Sequence, residues 1–210
     1  MQQKTPVLEK VRTAGRPRNE ATRRLILRTA LDLLQHETLQ AITIEAIAKA
    51  AGVSKATIYR WWTSKAAIVI EAFIEHHIVR TPMRQDLPPG EAIAEHIRHL
   101  VEQYSGWPGH IVAQIIGEAQ SDPSIGREFR ERFHYGRRAV VREAMEQWRR
   151  SGDIDKDTDI EVLMDVLYAP VYMRLLVGHA PLDDKFVKQH VTFVYKLLGA
   201  SLPRGSRPRK

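Results

Sequence analysis

A cysteine-free chain of 210 residues, 43% apolar and 27% charged, has the balance of a folded globular protein, and it excludes disulfides, thiolate metal sites and a cysteine nucleophile. It has no apolar run of bilayer length and no signal-peptide stretch over Met1 to Arg12, so a soluble cytoplasmic protein without a membrane partner is expected. The net charge of +7 is confined to the first third: residues 1–65 hold 12 Lys and Arg against 5 Asp and Glu, while the rest holds 20 of each, so this third either faces a polyanion or is a solvated basic face.

Residues 1–18 carry Lys4, Lys10, Arg12, Arg16 and Arg18 with few large apolar groups and no period, which reads as a flexible basic arm. Asn19 is placed to cap a helix running to about His36, with Ile26, Ala30, Leu33 and Leu34 on one stripe. Thr43 caps a short helix with Ile44, Ile47 and Ala48 inward and Glu45 at its positive end. Gly52 ends that helix, Ser54 caps the next from Lys55 to about Trp62, and Ser64 starts a fourth, with Ile68, Val69, Ala72 and Phe73, reaching about Val79. Pro82, Pro88, Pro89 and Gly90 then make the strongest break in the chain.

Beyond it, helices are expected at about 91–105, 109–120, 123–151, 158–178 and 183–199. Trp107-Pro108-Gly109 separates the first two, and Asp122-Pro123 starts the long third. Thr158 with Glu161 fits a capping box, and Asp183 caps the last helix. No segment alternates long enough for a strand, so the fold class is all-α. The expected division is an arm over 1–18, a helix-turn-helix over 19–63, a connecting helix over 64–80, a larger helical part over 81–200 and a basic Pro/Gly/Ser-rich tail over 201–210.

The segment from Thr43 to Trp62 joins two short helices through a tight Ala-Gly-Val turn, where Gly52 can take the positive φ required. Ile58 and Trp62 share the inner face of the second helix. Lys55, Ala56, Tyr59 and Arg60 fall mainly on the other side, an expected acid-free face of two cations, a phenol and a methyl. Such a face fits a major groove, with Lys55, Ala56 and Thr57 nearest the bases. Thr43, Tyr59, Trp61 and Lys65 are candidates for phosphate contacts that set register. Arg16-Pro17-Arg18 either enters a narrow minor groove or adds nonspecific attraction to phosphate.

Residues 16–75 resemble the DNA-binding domain of the tetracycline-repressor (TetR) family of bacterial regulators. The resemblance rests on the long first helix, Thr43-Ile-x-x-Ile-Ala-x-x-Ala-Gly-Val-Ser54, Ile58-Tyr59 and Lys65. It implies phosphate contacts at Tyr59 and Lys65 and a phosphate-facing Thr43. Trp61 and Trp62 depart from the usual His or Tyr followed by Phe. The resemblance further implies a ligand-responsive repressor that binds a palindromic operator as a homodimer, with a small-molecule effector and two late helices pairing the subunits. Leu163, Val166, Leu167 and Val171, then Phe186, Val187, Val191, Val194 and Leu198, are the expected interface, with core packing the competing use of the same residues.

A pocket is expected among the middle helices, from His96, His99, Trp107, His110, Gln114, Glu118, Met145, Trp148, Tyr168 and Tyr172. His96 and His99 lack a third metal ligand. Asp153 to Asp159 lack the glycine and terminal acid of a calcium loop, so no metal or cofactor is expected. No nucleophile elbow, P-loop or zinc-protease motif is present, so an enzyme is not expected. A constitutive architectural DNA-binding protein and an enzyme with a DNA-binding appendage are the competing readings.

Overall fold

The computed structural model describes residues 19–201, apart from the side chains of residues 78–80; the arm with Arg16 and Arg18, and the tail from 202 onward, lie outside the described residues. Asn19 opens α1 (Glu20–Leu34) by accepting from the Ala21 amide at 3.0 Å. The hydroxyls of Thr43, Ser54 and Ser64 do the same for Ala46, Thr57 and Ala67, and so begin α2 (Ile44–Ala50), α3 (Lys55–Tyr59) and α4 (Lys65–Arg80). Each cap satisfies an amide that the first turn leaves without a helical acceptor.

Two helix starts differ from expectation. Trp107-Pro108-Gly109 does not separate α5 (Pro89–Tyr104) from α6 (Trp107–Ser121) but forms the first turn of α6. Proline is suited there because first-turn amides need no helical partner. At Gly109 the chain passes so close to α5 that an added Cβ would stand 2.1 Å from the Tyr104 carbonyl oxygen. The cap of α9 (Ile160–Val177) is Asp159 rather than Thr158, its carboxylate accepting from the amides of Glu161 and Val162 at 2.9 and 3.2 Å.

The long third helix runs from 123 to 150 as expected, but in three parts. α7 (Pro123–Phe129) passes through a π-helical turn at Arg130–His134 into α8 (Tyr135–Arg150). The final helix, α10 (Asp184–Leu197), is capped by Asp183. No strand occurs among the described residues.

One continuous apolar cluster holds these helices together. α1 crosses α4, α5 packs on α8, α9 lies against α8 and α6, and α10 closes on α5. α4 belongs to both ends of the cluster: its first half, Ala66 to Ile70, is buried to the last side chain beneath α1, and Phe73 meets Phe133 edge-on at 5.3 Å. Burying a side chain of that size stabilises by about 1.5–3 kcal/mol, so the helix carrying the short N-terminal bundle cannot move without disturbing the larger one.

Candidate nucleic-acid interface and central cavity

Ala51-Gly52-Val53 closes the turn between α2 and α3 through a 3.0 Å bond from the Val53 amide to the Ala48 carbonyl, with Gly52 at φ 64°. Ile58 and Trp62 are buried behind α3, whereas Lys55, Ala56, Tyr59 and Arg60 are exposed and Thr57 and Trp61 half-buried. The Trp62 indole donates to Glu71 Oε2 at 2.8 Å, which holds the end of the motif on α4. The exposed residues therefore form one rigidly backed surface.

The outer face of α3 carries no acid of its own, but an acid from α2 reaches it. Glu45, in the first turn of α2, accepts from Lys55 Nζ at 2.7 Å, with both side chains exposed. The hydrogen bond lowers the Glu45 pKa and raises that of Lys55. The two residues lie on different helices, so the period of α3 alone could not reveal the pair.

Lys65 is also committed within the chain. Its ammonium donates to the Leu39 carbonyl at 2.5 Å and more weakly to that of Gln40 at 3.4 Å. With three donors, it retains one for a phosphate. The amide of the same Leu39 donates to Gln114 Oε1 at 2.6 Å, so α4 and α6 grip one residue between α1 and α2 from both of its peptide groups. Gln114 thus anchors the connection between α1 and α2 and does not line the cavity.

The cavity, of about 400 Å³, lies between α4, α5, α8 and α9 and is lined in part by His77, His96, Tyr104, Phe133, Arg137, Tyr168 and Tyr172. Arg137 Nη2 donates to the Thr81 carbonyl at 2.5 Å and to His96 Nδ1 at 3.4 Å. A guanidinium only donates, so Nδ1 is the acceptor, and His96 Nε2 then donates to the Tyr168 hydroxyl at 2.9 Å. Burial, with the Arg137 charge adding to it, pushes the pKa values of His77 and His96 down to about 3. Burial pushes the Tyr104, Tyr168 and Tyr172 phenols up. The wall is aromatic, polar and uncharged apart from its arginines and Asp165.

Of the residues expected to line a pocket, the structure brings Tyr168, Tyr172 and His96 to this wall. Met145 and Trp148 are core instead, the latter packed on Tyr195 at 4.9 Å. His99 lies beside Arg98, Trp107 is half-buried against His76, His110 is exposed, and Glu118 is half-buried on α6. The π-helical turn supplies Phe133 and His134, and the start of α8 supplies Arg137 and Arg138, which sequence reasoning missed.

Residues 26–72 match the bacterial regulatory proteins of the tetR family, and residues 90–194 match the tetracyclin repressor-like C-terminal domain. YdeS of Bacillus subtilis, described as an uncharacterized HTH-type transcriptional regulator, is 34% identical, over 87% of this chain and 92% of its own. The chain belongs to the TetR family. The crystal structure of the TetR family transcription regulator SCO0332 matches with a TM-score of 0.69 at 31% identity, over 87% of this chain and 99% of that one. FadR of Bacillus subtilis, solved in complex with stearoyl-CoA, shares the fold at 17% identity, with a TM-score of 0.65 over 81% and 96% of the two chains.

This TetR-family protein is thus a transcriptional regulator with a DNA-binding helix-turn-helix domain. No helix among the described residues is long and apolar enough to cross a membrane. Among those residues, no group of three or more His, Asp or Glu side chains is placed to hold a metal.

The late helices of the regulator use most of the expected interface residues as core. Leu163, Leu167, Val171, Phe186, Val191 and Val194 are buried within the chain itself, and Val166, Val187 and Leu198 are half-buried. The apolar groups left exposed are Val162, Met173, Leu176 and Val177 on α9 with Phe193 and Leu197 on α10, of which Phe193 is 60% exposed. α9 is apolar around its circumference, so periodicity alone could not choose its outer face.

Proposed function

We propose that this regulator is a homodimeric repressor that binds a palindromic operator in the cytoplasm and leaves it when a small molecule fills the central cavity. The observation that carries this reading is the course of α4. Lys65 at its start holds the Leu39–Gln40 connection, and His77, three turns on, lines the cavity. At 1.5 Å per residue these points lie about 18 Å apart on one helix. A ligand that binds the released arrangement more tightly than the DNA-bound one shifts the population towards release.

The division of labour follows the sequence reading: helix-turn-helix over 19–63, connection over 64–80, effector binding and pairing over 81–200. Lys55, Ala56, Thr57 and Arg60 face base edges, and Thr43, Tyr59, Trp61 and Lys65 face phosphates. The exposed stripe of α9 and α10 supports pairing, because six large apolar groups on two adjacent helices are costly to leave in water. Binding to an inverted repeat requires two recognition helices with a fixed separation. The cavity speaks against a purely architectural role, which has no use for an internal space of about 400 Å³.

Selection of bound genomic fragments by the full chain, with light scattering of the free protein, tests this. A dimeric mass is expected, together with fragments carrying inverted half-sites whose centres are separated by about 34–36 Å or a multiple. Phe193→Asp is expected to give a monomer whose operator affinity falls by about a hundredfold or more. A monomeric wild-type chain, or selected sites without two-fold symmetry, overturns the dimer reading.

A further inference from the structure

Among the described residues, no carboxylate pairs with Arg137. All its hydrogen bonds leave one nitrogen, Nη2, for Thr81 and His96, so Nη1 and Nε keep their donors. The other arginine on the wall is already matched, since Arg138 donates to Glu161 and, at 2.8 Å, to Asp165. His77 and His96 are neutral at physiological pH, and burial pulls even the Arg137 pKa down, as befits a charge without a counterion. His77 is 1% exposed, and its Nδ1 has no hydrogen-bond partner. The cavity therefore contains one unbalanced positive charge and unused polar atoms within an aromatic wall.

We propose that the cavity takes an aromatic carboxylic acid as its anion, with the carboxylate on Arg137 and the ring against Phe133, Tyr104 and Tyr172. This rests on the effector-cavity reading above and gives it a ligand class. A carboxylate oxygen accepts a charge-assisted hydrogen bond from Nη1, which Thr81 and His96 leave unused, and its single charge balances that of Arg137. A dianion such as a phosphate monoester would leave a buried negative charge among phenols. The Tyr168 hydroxyl accepts from His96, so its own proton is available to a carboxylate oxygen.

Matched probes test the inference on the full chain. Calorimetric titration compares 2-naphthoate and phenylpropionate with their primary amides and with 2-naphthylmethylamine. The acids are expected to bind at least about tenfold more tightly than the amides, the value of a charge-assisted hydrogen bond. Arg137→Gln is expected to bring acid affinity down to that of the amide and to leave amide affinity nearly unchanged. If that variant fails to fold by circular dichroism, the acid–amide comparison on the wild type still decides. Amides that bind as tightly as acids, or acids held equally well by a folded Arg137→Gln, overturn the anion assignment and leave the cavity reading intact. If no acid, amide or amine binds at about 1 mM, the effector-cavity reading itself fails and takes this inference with it.

Discussion

The helix-turn-helix and the cavity place their functional groups in opposite ways. In the first, the proposed contacts Lys55, Ala56, Thr57, Tyr59 and Arg60 lie within six consecutive positions, and all but Thr57 are exposed. In the second, His77, His96, Arg137 and Tyr168 come from four helices and are held together by burial. The first surface binds a partner that brings its own charge, so its cations stand in water at little cost. The second half-buries a cation and buries two imidazoles beside it, so its energetics depend on what they meet there. α4 is the element common to both.

The difference is expected to show most strongly in acid. His77 and His96 have folded pKa values of about 3, below the ordinary value near 6.5 that they regain on unfolding. Above about pH 6.5 both states are neutral and nothing is lost. Below it the unfolded chain takes up protons first, so stability falls as pH drops from about 6.5 towards 3. The slope reaches about 1.4 kcal/mol per pH unit for each imidazole. Burial lowers the pKa values of His134 and His190 as well, adding in the same direction. Urea unfolding at pH 7.5, 6 and 5 should show this loss, and His77→Phe should flatten part of it. A wild-type stability that stays level to pH 5 contradicts the burial assigned to these imidazoles.

The same contrast explains what could be read from the sequence. Asn19, Thr43, Ser54, Ser64 and Asp183 announce helix starts because each cap bonds an amide two or three residues away. The recognition surface is legible for the same reason: one short helix and one turn contain it. Arg137 is not, because nothing near it in sequence says that Thr81 and His96 lie beside it. The π-helical turn at 130–134 keeps the helical pattern of its neighbours and gives no punctuation. Glu71, which meets Arg23, Trp62 and Arg132 at once, looks like any acid on a helix until α1 and the π-helical turn close around it. The apolar residues of α9 and α10 are legible as apolar but not as core or interface, because that choice depends on which of them the rest of the fold covers.

On the exposed side the effects should be smaller and confined to DNA. Lys55→Ala is expected to lower affinity for the selected operator by about tenfold to a hundredfold and to change binding to unrelated duplexes little, as for a cation reading a guanine edge. Lys65→Ala should weaken all sequences alike and also lower the melting temperature, because its ammonium holds the Leu39 and Gln40 carbonyls in the free protein. Competition titrations with operator and scrambled duplexes separate the two patterns. Equal losses on both duplexes for Lys55→Ala would move Lys55 from the reading face to the backbone contacts.

The smallest effect concerns the acid on the reading face. In the free protein Lys55 donates to Glu45, and a duplex competes for the same ammonium while meeting a carboxylate of its own sign. The pair is fully exposed, so water and salt screen it and breaking it costs little. Glu45→Gln removes the competing charge and keeps the size and much of the hydrogen-bonding capacity of the side chain. Operator affinity is then expected to rise by about two- to fivefold at low salt, the range measured for exposed ion pairs, and the gain should fade as salt rises. Affinity that falls in Glu45→Gln would mean that the carboxylate orients Lys55 for the bases, a positioning role in place of competition. Measuring the same substitution in a Lys55→Ala background separates the two, because only an effect exerted through Lys55 disappears there.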